Sequence, residues 1–220
     1  MAMYIFRLAR DRNGAVLVEV AVMMTIMFIF ILGSIEFLFA FYEWNLAAKA
    51  VQVGTRIAAT SDPVAAGLRE LSTAVAGNIA VPGGAMPNFV VTCDGNSASC
   101  TCSPALICPR GSAYSAEAMN TIIFGRGSSS CFDATSIYDA GMCDIFPRIT
   151  AANVVIVYAQ TGLGFAGRPG GPVPTITLSL QHLPFRFIFL SGLMGFNNVQ
   201  IPALTTSITG EDLSSNAPVF

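Results

Sequence analysis

Few side chains in this chain are of a type that does covalent or acid–base chemistry, and their spacing is not that of a catalytic set. The single histidine, His182, sits beside Leu183 and Pro184 between two strand-like runs, a setting in which an imidazole is ordinarily structural. Glu211 and Asp212 form an acid pair, but Thr209-Gly210 before them and a polar tail after them read as a solvated turn. No G-x-S-x-G, P-loop, H-E-x-x-H or G-x-G-x-x-G pattern occurs, so the sequence reads as that of a non-enzyme with no cofactor. The six cysteines, Cys93, Cys100, Cys102, Cys108, Cys131 and Cys143, are separated by six, one, five, twenty-two and eleven residues. Zinc sites need close ligand pairs of the C-x₂₋₄-C kind, which these intervals do not supply, so no metal is expected. An even number of thiols points instead to disulfides, with any of the fifteen pairings of six cysteines open. Asp94-Gly-Asn-Ser begins like a calcium loop but lacks the closing glutamate, and is read as a surface turn.

The remaining unusual group is Glu19, the one charge in an apolar run from Ala15 to Ile35. A charge at the centre of a membrane helix costs about 2.5–3.5 kcal/mol on insertion scales and less toward the ends, so a carboxylate kept there invites a functional reading. Five residues before it stands Gly14, preceded by Arg7, Arg10 and Arg12. From Ala15 to Glu36 a helix rises roughly 33 Å, enough for a hydrocarbon core of about 30 Å. Phe37, Phe39, Phe41, Tyr42 and Trp44 follow as an interfacial aromatic belt, and the arginines mark the cytoplasmic side. A secretory signal is the weaker reading, because its apolar core is only about 7–15 residues long.

The helix continues past the membrane. Leu46, Ala50, Val53 and Ile57 recur at helical spacing among polar residues, which predicts an amphipathic stalk to about Thr60. Gly33, Ala40, Ala47 and Gly54 fall seven residues apart, a row that would let helices approach closely. Ser61-Asp62-Pro63 reads as a stop and a new start, with Asp62 as N-cap of a second helix over 63–80 whose apolar face is Val64, Leu68, Leu71, Val75 and Ile79. Residues 88–92 suggest a short strand and 115–124 a weak helix. Beyond 150, the runs 153–159, 175–181 and 185–189 predict strands, and 201–213 a last edge strand with Pro202 near its start. The fold class expected is α+β: a long N-terminal transmembrane and stalk helix followed by a small antiparallel sheet packed on helices. Its divisions are a leader at 1–14, the helix at 15–60, and an extracytoplasmic domain at 61–220 with a cysteine-rich insertion at about 93–143. A composition 53% hydrophobic and only 11% charged suits one spanning helix plus one domain, and a net charge of −2 with no basic cluster after the leader excludes nucleic acid as a partner.

Gly14 followed by apolar residues and Glu19 resembles the site at which prepilin peptidase cuts type IV pilins and pseudopilins. Cleavage there would make Ala15 the N-terminus, and an ammonium at a helix start opposes the helix dipole; a carboxylate four residues on can offset it, in the same chain or a neighbour. Together with Gly14-Ala-Val-Leu-Val-Glu-Val-Ala21, the stretch Asn45-Leu-Ala-Ala-Lys-Ala-Val-Gln-Val-Gly-Thr-Arg-Ile-Ala-Ala59 resembles the TadE-like family of tight-adherence (Tad) pilus proteins. So do Val154-Val-Ile-Val-Tyr158, Gly162-Leu-Gly-Phe165, Gly170-Gly-Pro-Val-Pro-Thr-Ile-Thr177, Ile201-Pro202 and Thr209-Gly-Glu-Asp-Leu213. The resemblance implies a minor pilin or pseudopilin of the bacterial inner membrane, cleaved between Gly14 and Ala15 and assembled through Glu19. Its implied partners are membrane lipid, the prepilin peptidase, other Tad pilus subunits and assembly-platform proteins. Val20, where the major Flp-type pilins usually carry tyrosine, and the far greater length point to a minor component. The absence of an Asp-x-Ser-x-Ser motif argues against the related TadG-like branch. The alternative is a bitopic membrane protein whose outer domain binds an envelope polymer or partner protein; only the pilin reading requires Gly14 and Glu19.

Overall fold

The computed structural model describes residues 12–107, 113–134, 136, 138–185, 187, 191–192, 199–200, 202–210 and 213–215. Its chain divides into two compact units, residues 1–42 with 185–199 and residues 43–184 with 200–220.

The first unit is built on the apolar part of helix α1 (Arg12–Ala59). Leu, Met and Ala favour the helix, and its large side chains are exposed on all sides, from Leu17 and Met23 to Phe30 and Leu38. A helix apolar all round is stable only where lipid or protein replaces water. Its hydroxyls are satisfied within the helix, Thr25 Oγ1 donating to the Ala21 carbonyl at 2.8 Å and Ser34 Oγ to the Phe30 carbonyl at 2.7 Å. That is the arrangement a membrane interior demands, since no water is available there. Gly33 and Glu36 are the buried positions on this part of α1. Phe37 meets Phe187 edge-on with ring centroids 5.9 Å apart, and Phe187 meets Phe185 at 4.8 Å. Among the described residues, α1 is the one helix long and apolar enough to cross a membrane.

The second unit holds a five-stranded antiparallel sheet in the order β2-β1-β3-β4-β5, made of β1 (Val90–Asp94), β2 (Ser99–Ser103), β3 (Val154–Ala159), β4 (Thr175–Leu180) and β5 (Leu204–Thr209). Alternation decides which face is buried. Val154, Ile156 and Tyr158 of β3 and Ile176, Leu178 and Leu180 of β4 are all buried, whereas Val155, Val157, Thr175 and Thr177 between them are only half-buried. The stalk end of α1 lies against the buried face through Ala47, Ala50, Val51, Gly54, Thr55 and Ala58. Gly54 is the tightest point: a β-carbon there would lie 2.6 Å from Met142 Cγ and 3.2 Å from Leu178 Cδ1. The missing side chain at Gly54 makes room for those of Met142 and Leu178, so the row noticed in the sequence serves packing within the chain at Ala47 and Gly54. Tyr158 lies fully buried, and its hydroxyl accepts from the Val64 amide at 3.0 Å. Burial holds its phenol well above the usual tyrosine range.

Further α-helices of the second unit are α2 (Leu71–Val75), α3 (Ala116–Phe124) and α4 (Met142–Ile145). Ser115 caps α3, its Oγ accepting from the Ala118 amide at 3.2 Å. The expected helix over 63–80 is corrected to α2 alone. Val64, Leu68, Leu71 and Val75 are buried as its apolar face requires, while Ile79 is 44% exposed. The backbone of 64–66 is already engaged: Ala66 donates to the Ala113 carbonyl at 2.9 Å, and the Val64 carbonyl accepts from Ser115 at 2.8 Å. Those groups cannot also enter a helical ladder. Asp62 is therefore no N-cap; its carboxylate pairs with Arg69 at 3.0 Å. The early strand lies at 90–94 rather than 88–92, and its partner β2 was not foreseen. In the run 185–189, Pro184–Phe185 is extended, while Arg186 and residues 188–190 lie outside the described residues. The last edge strand forms after Pro202, as expected. Within 93–143, β2 and the end of β1 belong to the sheet, and Met119, Ile122, Ile123 and Met142 are core residues.

Candidate functional site

Gly14, Ala15 and Glu19 all lie on α1 in the first unit and are exposed. Because both residues lie within α1, the Gly14–Ala15 bond is helical. A β-carbon on Gly14 would meet nothing within 4 Å, so no intramolecular packing demands glycine there. Ala15 and Glu19 stand four residues apart, the spacing that places two side chains on one helical face. Val16, Leu17, Val18 and Val20 surround Glu19 and are between 50% and 73% exposed, so the carboxylate projects from an apolar surface. Arg7 and Arg10 lie outside the described residues, as does the Glu211–Asp212 pair.

In the second unit, the stalk part of α1 is held by two cations that sequence reasoning passed over. Arg148 Nη1 pairs with Glu43 Oε2 at 2.6 Å, and Arg148 Nη2 donates to the Pro184 carbonyl. Arg126 Nη2 donates to the Thr60 carbonyl, to Thr60 Oγ1 at 2.8 Å and to Ser61 Oγ at 3.3 Å. A cation there satisfies orphan carbonyl oxygen and complements the negative end of the helix dipole. An open groove of about 640 Å³ runs beside this end, lined by Arg56, Ile57, Arg126, Tyr138 and Ile208 among others. Neither arginine sits in a recognisable motif, so no sequence signal marks them.

Cys93 and Cys100 face each other in the β1–β2 register and are disulfide-bonded, as are Cys131 and Cys143. Cys102 is also in a disulfide, Cys108 lies outside the described residues, and no described cysteine is free. The first bridge closes the hairpin turn at Asp94-Gly95-Asn96-Ser97, where Asp94 Oδ1 accepts from the Asn96 amide at 2.8 Å. The second joins the loop after α3 to α4, and Cys143 is fully buried. His182 is exposed, and its backbone carbonyl accepts from Asn153 Nδ2 at 3.2 Å, a role that any residue could fill. Among the described residues, no three His, Cys, Asp or Glu side chains gather as metal ligands.

The described chemistry is thus that of an apolar membrane helix with one carboxylate near its start, continued by a stalk and a disulfide-bonded α+β unit. No curated protein matches the chain, and no solved structure does. The family model described as TadE-like protein matches residues 14–56, which begin at Gly14 and end in the last turn of α1. Over that segment, the apolar part of α1 and most of its continuation, the chain is similar to TadE-like proteins.

Proposed function

We propose that this chain is a membrane-anchored minor pilin, or pseudopilin, needed to assemble a Tad/Flp-type pilus used in adhesion and biofilm formation. The observation that carries the proposal is the coincidence of three boundaries at one place: the TadE-like match starts at Gly14, the apolar helix follows directly, and its lone carboxylate is Glu19. On this reading residues 1–14 are a leader, 15–60 form the transmembrane and stalk helix, and 61–220 form a periplasmic or extracellular domain. The N-terminus faces the cytoplasm of a bacterial inner membrane, with the basic leader on the positive side. A prepilin peptidase cuts after Gly14, and the new Ala15 ammonium is compensated by Glu19 of the same or a neighbouring subunit. Partner subunits and the assembly platform dock on the helix. The alternative of a bitopic anchor for an envelope-binding domain leaves Gly14 and Glu19 without a task.

The test is the mature N-terminus of protein isolated from the native host. Mass analysis is expected to give a chain beginning at Ala15, with the leader absent. A mature chain that retains Arg7 to Asn13 overturns the processing on which the pilin reading stands.

A further inference from the structure

The apolar span runs from Ala15 to Glu36 and already consumes roughly 33 Å of helix, the full thickness of a hydrocarbon core of about 30 Å. Phe37 is the first aromatic beyond it and therefore stands at the outer boundary of the membrane. What touches Phe37 is Phe187, its ring edge-on at 5.9 Å, and Phe187 in turn touches Phe185 at 4.8 Å. These phenylalanines come some 150 residues later in the chain, after β4 has been laid down, yet they belong to the same compact unit as the spanning helix. A ring whose centroid is 5.9 Å from that of Phe37 lies within that distance of its depth. Phe187 is only half-buried, so part of it faces outward from the unit at that depth. In sequence the stretch from Phe185 to Phe196 carries a single charge, Arg186, and four phenylalanines, a composition that water disfavours and the headgroup–acyl boundary accepts.

We infer that the chain meets the bilayer a second time, with Phe187, backed by the buried ring of Phe185, lodged beside Phe37 in the outer headgroup–acyl boundary, so that lipid covers the exposed edge of Phe187. The inference rests on reading α1 as a membrane anchor and adds to it a second contact, made by a segment that no hydropathy profile would count as a span. The occupant is the lipid itself, because this surface continues the one that the helix presents around Phe37, Leu38 and Phe39, which are 53–69% exposed.

The experiment uses the full chain reconstituted into phosphatidylcholine vesicles, with Trp44, the single tryptophan, replaced as Trp44→Phe. Tryptophan is then placed singly as Phe187→Trp, Phe37→Trp, Val22→Trp or Tyr138→Trp. Phosphatidylcholine brominated near the glycerol end of its acyl chains is expected to quench Phe187→Trp about as strongly as Phe37→Trp, on the order of twofold, and to leave Tyr138→Trp unchanged. Val22→Trp is expected to respond more to mid-chain bromine. Quenching of Phe37→Trp and Val22→Trp without quenching of Phe187→Trp overturns the second contact and leaves the anchor standing. Loss of quenching at all three overturns both. A check on the unsubstituted chain uses phosphatidylcholine carrying an acyl-chain diazirine: photoadducts are expected on the peptide containing Phe185 and Phe187 as well as on α1. Adducts confined to α1 again refute the inference.

Discussion

Arg148 and Glu43, 105 residues apart in sequence, form an ion pair at 2.6 Å that ties the start of the stalk to the loop before β3. Arg148 also donates to the Pro184 carbonyl, so one guanidinium links three chain segments. The Glu43 side chain is 12% exposed and that of Arg148 38%, which puts the pair between a surface and a buried bridge.

Replacing Arg148 by alanine strips Glu43 of its counter-charge and the Pro184 carbonyl of a donor. The expected loss is about 1–3 kcal/mol, read as a lower urea midpoint of the detergent-solubilised chain with the slope unchanged. Arg148→Ala together with Glu43→Gln is expected to cost less than the two single changes added together. Strict additivity in that cycle would show that the pair contributes no coupling.

Tyr158 ties protonation to folding. Its phenol is held above its ordinary value of 10 by burial, so in alkali the unfolded chain releases this proton first. The unfolded state then binds fewer protons than the native one, and stability falls as pH rises above about 10 while remaining complete below it. Tyr158→Phe is expected to flatten that part of the pH–stability curve. It also leaves the Val64 amide without its acceptor, costing about 1–3 kcal/mol at neutral pH. An unchanged alkaline limb in the variant would assign the loss to other groups.

The bridges Cys93–Cys100 and Cys131–Cys143 predict that alkylation of the denatured, unreduced protein labels none of these four positions. Replacing Cys131 and Cys143 together by alanine is expected to cost about 2–4 kcal/mol, because the unfolded chain regains the freedom that the bridge removed. Peptide mapping after labelling decides the first point and denaturant melts the second.

Glu19 separates the two functional readings. In a plain anchor, Glu19→Val removes an awkward charge, and insertion should be intact or improved. In a pilin-type assembly the same change leaves the Ala15 ammonium uncompensated in a low-dielectric bundle; losing one partner of a buried pair costs about 3–5 kcal/mol, which corresponds to at least a hundredfold loss of incorporation. Piliation and co-purification at wild-type expression, with cleavage after Gly14 checked separately, provide the measurement. Normal pili built with a normally cleaved Glu19→Val chain would return the assignment to the plain anchor.

Elements whose partners are close in sequence, or whose burial follows a simple period, could be read before any coordinates. The spanning helix declared itself by its unbroken apolar run, and β3 and β4 by β-branched alternation. Residues 61–70 misled because Val64 and Leu68 keep helical spacing and are buried, yet the backbone between them bonds to 113–115, a tertiary partner that no local pattern announces. The hairpin β1–β2 was hidden for a similar reason: Ser99–Ser103 holds one β-branched residue, Thr101, among serines and cysteines, and it is the Cys93–Cys100 register that fixes it. At the candidate site, Gly14 and Glu19 stand out because a short motif carries them. Arg148 and Arg126 act through distant carbonyl and carboxylate oxygens and leave no mark in sequence.

Gly54 sets a limit on what may be exchanged between subunits. Its side of the stalk is closed by Met142 and Leu178 of its own chain, and in the first unit Gly33 is covered as well. If copies assemble as the pilin reading proposes, a neighbour's helix would find no vacancy at either glycine and would meet large exposed side chains, Phe28, Phe30 and Ile31 among them. Such a surface interlocks by knobs rather than by close backbone approach, so contacts between copies would be wide, greasy and tolerant of conservative exchange. Substitutions at Gly54 would then spoil the individual subunit long before they altered how subunits fit together.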